Sequence, residues 1–172
     1  MKIGLLSAIL PDSSFEEVID IARENGYKSV ELACWPKGKS IRRYAGVTHI
    51  DVDNLTEENI EYILDYTKSR KVEIACLGYY PNPLDPDEEK RIFYIEHIKK
   101  VILAAAKLGV YRISTFIGKN QFINEEENFD LFKKYWPDII AFAEENKVQV
   151  GIENCPMRSE EHTSELQSPN TI

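Results

Sequence analysis

The residues best placed for chemistry stand where short apolar runs give way to polar loops. The clearest case is Val148–Met157, VQVGIENCPM. Val148, Val150 and Ile152 share one face by period-2 alternation, and Gln149, Gly151 and Glu153 share the other. Glu153 thus ends a half-apolar strand with an ionisable group that is costly to bury unless it meets a partner or a cation. A carboxylate in that position can serve as a hard-cation ligand or a general acid/base. The competing role is a structural pair with Lys or Arg. Glu31 alternates against Val30 and Leu32 and points the same way; for it, a buried ion pair is at least as good a reading as catalysis.

Other candidates lie in loops. Trp35 follows the second apolar run, Tyr79, Tyr80 and Asn82 follow the third, and His49 sits in the long loop between them. A surface histidine is the simpler reading of His49; His97 falls inside a helical pattern, solvent-facing or packed. Cys34, Cys76 and Cys155 lie at or near strand ends without a C-x-x-C. They read as small buried residues in preference to a thiolate metal site. Their odd count and wide spacing point to reduced thiols and a cytoplasmic setting.

Strands are expected at Ile3–Ser7, Ser29–Ala33, Val72–Leu77, Arg112–Ile117 and Val148–Glu153. Between them lie helical stripes. Ser14 and Glu17 form a capping box before Phe15, Val18, Ile19 and Ala22, and Gly26 ends that helix. Thr56 precedes a helix marked by Ile60, Ile63 and Leu64. A third carries Ile95, Ile98, Ile102 and Ala105 up to Gly109. A fourth runs from about Asn128 to Asn146 with Phe129, Phe132, Trp136, Ile140 and Ala143 on one face, kinked or divided at Pro137. Strict alternation implies parallel strands with right-handed crossovers. No G-x-G-x-x-G or G-x-x-x-x-G-K-[ST] follows a strand, so a nucleotide-binding open sheet lacks support. The fold class expected is α/β, a partial (β/α)₈ barrel of about five strands and four helices, since a whole barrel takes about 250 residues.

The 172 residues are 43% hydrophobic with net charge −8. That acidity excludes the basic footprint of a nucleic-acid binder; the one basic cluster, Lys37–Arg43, is short and interrupted. The opening apolar run is too short for a membrane span and lacks a signal-peptide pattern. Arg158–Ser168, RSEEHTSELQS, resembles the in-frame translation of a short-read sequencing adapter. The expected division is therefore a barrel segment over residues 1–157 and a non-native tail over 158–172.

Four strings, VELACWP (Val30–Pro36), GYYPNPLDPD (Gly78–Asp87), TFIGK (Thr115–Lys119) and VGIENCPM (Val150–Met157), together with the strand–helix order, resemble the sugar phosphate isomerase/epimerase family of xylose isomerase-like TIM barrels. The resemblance covers Met1–Met157. It implies a divalent cation (Mn²⁺, Mg²⁺, Co²⁺ or Zn²⁺, undistinguished) held by carboxylates and a histidine from strands five to eight. Only Glu153 matches that ligand set, as the strand-five glutamate, which in the family's epimerases is also one acid/base. The implied chemistry is proton abstraction beside a ketose carbonyl, with the cation stabilising an enediolate. A small sugar is the implied partner, and Trp35, His49, Tyr79 and Asn82 are its candidate contacts through stacking and hydroxyl hydrogen bonds. Homo-oligomerisation of the parent is left open. A keto-cyclitol dehydratase on the same scaffold is the alternative, followed by an inactive truncated barrel. An endonuclease IV-like repair enzyme is disfavoured, because CLGYY and TFIGK lack that branch's histidine ligands.

Overall fold

The computed structural model describes residues 2–38 and 45–153. Cys155, the 158–172 tail and most of the Lys37–Arg43 cluster lie outside them. The strands are β1 (Gly4–Leu6), β2 (Ser29–Ala33), β3 (Glu73–Gly78), β4 (Arg112–Phe116) and β5 (Gln149–Glu153). The helices are α1 (Phe15–Glu24), α2 (Glu57–Arg70), α3 (Glu88–Lys107) and α4 (Glu125–Glu145), with one 3₁₀ turn at Ser7–Ile9. All neighbouring strands pair in parallel, in the order β1-β2-β3-β4-β5. A doubly wound sheet reverses its strand order at a switch point, whereas a barrel adds strands in sequence. The chain is a five-stranded arc of a (β/α)₈ barrel.

The helix starts follow from local chemistry. Ser14 and Glu17 form the expected capping box, and Thr56 forms one with Asn59. Asn124 forms a third with Glu127, so α4 begins earlier than the apolar stripe alone suggests. Of the expected kink or division at Pro137, the division does not occur: α4 continues through Pro137 as one helix. Its buried side chains are Trp136, Ile139 and Ala143, while Phe129 is exposed. Leu64 of α2 is also exposed, because Ile63 and Thr67 take the buried side.

The core lies between sheet and helices. Val30, Leu32, Leu77 and Ile113 project outward from the strands and meet Val18, Ile19, Ile98, Ile102 and Trp136. Trp136 fixes α4 to the end of β4, its indole N–H donating to the Ile117 carbonyl at 2.9 Å. The pairing of β2 with β3 contains a bulge: Val30 faces Ile74, but Glu31 faces Cys76, so Ala75 is the extra residue. A bulge turns every later side chain of its strand to the opposite face.

Candidate active site at the strand C-termini

Beyond the bulge, Cys76, Gly78 and Tyr80 share the inner face with Glu31. β4 places Ser114 and Phe116 on that face, and β5 places Gly151 and Glu153 beside them in register. The side chains converge on one hydroxyl. Tyr80 Oη donates to Glu153 Oε1 at 3.0 Å and also meets Glu31 Oε1 in a shorter contact. The hydroxyl carries one hydrogen, so both contacts are satisfied together only when one of the two carboxyls supplies a second, and the buried Glu31 is the one whose proton is favoured. Burial pushes the Glu31 carboxyl above the usual carboxylate range, and the nearby negative charge of Glu153 adds to the effect. Burial and the Glu31 hydrogen bond push the Tyr80 phenol far up as well.

Below the hydroxyl the floor is tight. A Cβ on Gly78 would stand 2.5 Å from Glu31 Oε1 and 3.1 Å from Tyr80 Cε2, so the bare backbone makes room for the carboxylate. Cys76 Sγ and Ser114 Oγ are 3.1 Å apart, and burial raises the thiol to about 12, leaving it inert as a nucleophile. Phe116 lies tilted against Tyr80, ring centroids 4.9 Å apart.

The remaining sequence candidates lie elsewhere. Tyr79 faces outward, 1% exposed, edge-on to Trp35 at 4.9 Å and to His97 at 4.6 Å, with its hydroxyl unpartnered. Trp35 is half-buried against Tyr79 and the small cluster of Ala8, Ala33 and Val47. His49 is buried, not a surface-loop residue. Its Nε2–H donates to the Leu10 carbonyl at 3.2 Å, and its Nδ1 lies 2.9 Å from Ser7 Oγ, which itself accepts from the Ala33 amide. Desolvation lowers its basicity, which suits this neutral, fully engaged form. His97 is likewise packed, with Nε2 2.8 Å from the Cys34 carbonyl. Asn82 spends its amide on Lys119, accepting from the backbone N–H at 2.8 Å and donating to the carbonyl at 2.9 Å. Thus Glu153 stands at the convergence, while Trp35, His49, Tyr79 and Asn82 are engaged by the chain itself. Tyr80 is the partner that sequence reasoning left among the aromatics; its signal was the proximity of two inward glutamates.

Could this convergence hold a divalent cation? Glu31 and Glu153 are oxygen donors of the kind hard ions prefer, and their mutual repulsion is what a cation would relieve. The kind fits and the number does not: among the described residues no group of three His, Cys, Asp or Glu side chains is gathered.

Comparison with solved structures places this arc firmly. The probable 3-DHS dehydratase AsbF of Bacillus anthracis, involved in petrobactin synthesis, is 19% identical with a TM-score of 0.67, over 91% of this chain and 53% of that one. D-psicose 3-epimerase of Clostridium cellulolyticum H10, solved with D-tagatose, is 14% identical with a TM-score of 0.63, over 88% and 52%. An IolI protein with a bound zinc atom is 16% identical with a TM-score of 0.63, over 88% and 51%. At these identities the likeness is one of fold. The chain spans about half the length of these structures. No curated protein sequence matches it. The family profile described as "Xylose isomerase-like TIM barrel" matches residues 19–167, most of the chain and past Met157. The chain belongs to the xylose isomerase-like TIM barrel family.

Proposed function

We propose that this chain is the strand-one-to-five part of a divalent-cation-dependent isomerase or epimerase acting on a sugar or sugar phosphate. The observation that carries the reading is Glu153, exposed on the inner face at the C-terminal end of β5, where barrels of this kind keep their chemistry. Its carboxylate is accessible to a ligand in the barrel mouth, and its hydrogen bond from Tyr80 directs it there. Glu153 would hold the cation together with residues outside this arc. Such a cation supplies Lewis-acid polarisation of a carbonyl and its neighbouring hydroxyl. Glu153 itself takes or returns the proton on the adjacent carbon. Turnover is a property of the complete barrel, since this arc offers one ligand of the expected set.

A second reading, dehydration of a keto-cyclitol, is favoured by one observation: a probable dehydratase is among the structures of the same fold. Both reactions begin by removing a proton beside a carbonyl, so Glu153 keeps its role in either. Unpaired Cys34 and Cys76 accord with a reducing, cytoplasmic setting. Among the described residues no helix is long and apolar enough to cross a membrane. Residues 158–172 we take as non-native, on the adapter resemblance. The uninterrupted genomic reading frame after the Met157 codon tests this, and an Asp, a His and a Glu at successive strand ends there would complete the ligand set.

Glu153→Gln in the full-length protein keeps the volume and removes both charge and basicity. It should cost at least about 10²–10⁴-fold in turnover and weaken Mn²⁺ binding in a direct titration, with thermal unfolding unchanged. Wild-type rates with unchanged Mn²⁺ affinity would make Glu153 structural.

A further inference from the structure

Two strands send one carboxylate each to a single oxygen, the Tyr80 hydroxyl. Glu31 comes from the middle of β2, Tyr80 from just beyond β3, and Glu153 from the tip of β5, and the Tyr80 hydroxyl touches both carboxylates. We propose that Tyr80 is a positioning residue: it fixes the direction of the Glu153 carboxylate in the barrel mouth and is itself held by Glu31. The proposal deepens the functional reading above and rests on it.

Without such a tether, an exposed glutamate samples many rotamers, and a ligand or base needs one. Tyr80 removes that freedom from one side, because its hydroxyl donates to Glu153 Oε1 at 3.0 Å; among the described residues Oε2 has no such partner and can face a ligand. The tyrosine is immobilised in turn. Phe116 packs on its ring at 4.9 Å, and Glu31 anchors its oxygen from below. The Glu31 anchor depends on Gly78, where any Cβ would stand 2.5 Å from the carboxylate oxygen. The bulge in the pairing of β2 with β3 is what puts Glu31, Gly78 and Tyr80 on one face. Four separate features of the chain therefore serve one contact to Glu153, more than packing of an open barrel mouth requires. Hydrogen-bond partners of metal-ligating groups typically govern affinity by about 10–100-fold.

The test uses the full-length protein labelled with ¹³Cδ-glutamate, with Mn²⁺ alone as the probe. Tyr80→Phe should move the Glu153 carboxyl-carbon resonance and weaken Mn²⁺ binding by about 10–100-fold, leaving the unfolding midpoint in place. Glu31→Ala, which removes the anchor of the Tyr80 hydroxyl, should move the same resonance, and Glu31→Gln should largely restore it. Tyr62→Phe on α2, whose hydroxyl donates to Glu16 on the helical side, should do none of this. An unmoved Glu153 resonance and unchanged Mn²⁺ affinity in Tyr80→Phe would overturn the proposal. So would an effect confined to KM for a sugar, which would make Tyr80 a substrate contact. If instead Glu153→Gln leaves Mn²⁺ affinity unchanged while Tyr80→Phe still moves the resonance, the functional reading falls and the positioning stands.

Discussion

Tyr79 and Tyr80 are adjacent and chemically identical, yet the fold gives them opposite work. Tyr79 lies in the apolar layer between sheet and helices, wedged between Trp35 and His97 with no partner for its hydroxyl. Tyr80 lies on the inner face with its hydroxyl between two carboxylates. On the outer face shape and area dominate; on the inner face polar groups are costly until each finds a partner. One residue of register decides which rule applies, and here a single bulge sets that register.

The contrast can be broken most forcefully at Tyr79. Truncating a buried aromatic removes its contacts and leaves a cavity, so Tyr79→Ala should cost about 3–5 kcal/mol. Denaturant unfolding with an unchanged slope measures this, and a loss well below 1 kcal/mol would mean the outer face is not closely packed there. Gly78→Ala attacks the inner face. The added methyl meets the end of the Glu31 side chain, which can swing away, so the cost should fall near the low end of overpacking, about 1 kcal/mol. Its sharper signature is loss of the Glu31–Tyr80 contact, read as a shifted Tyr80 phenol resonance.

Tyr79→Phe deletes a buried hydroxyl that has no partner among the described residues, so stability should hold or rise by less than about 1 kcal/mol. A clear loss would show that the hydroxyl has a partner after all. The smallest effect is a slope. Burial keeps a proton on Glu31 in the folded protein that the unfolded chain releases near the ordinary value of 4.5. Wild-type stability should therefore fall as pH rises from that value through the raised one. Glu31→Gln removes this dependence, so the variant should gain on wild type across that window and keep a constant difference below it. A gap that stays flat throughout would show that Glu31 titrates normally.

Much of the architecture was legible because caps and stripes are local. Ser14 with Glu17, the four apolar positions before Gly109, and the alternation around Val150 each specify an element within a few residues. Glu31 and Glu153 were legible as inward groups for the same reason. The errors have a common physical origin in non-local pairing. Counting strictly by twos from Val72 and Ile74 turns Tyr79 inward and Tyr80 outward; the bulge reverses both, and it is a property of two strands. His49 looked like a surface residue because its partners, Ser7 and Leu10, lie far away in sequence. Asn82 was legible as a hydrogen-bonding loop residue, but the backbone that claims its amide belongs to the next β/α unit. The Phe129 stripe failed more simply, since α4 is longer at its start than the core it covers.

The Asn82 bridge also has a mechanical meaning. Its amide imitates a strand segment against Lys119, and Gly118, at φ +84°, lets the two loops touch so closely that a Cβ would stand 2.7 Å from the Leu84 nitrogen. The loops after β3 and β4 are in effect riveted into one plate. Their backbone amides at Leu84 and Lys119 should exchange slowly with solvent, and proteases should find no purchase there. Any breathing of the mouth must then be hinged elsewhere, and an engineer seeking to graft a new loop onto this scaffold would do best to leave that rivet in place.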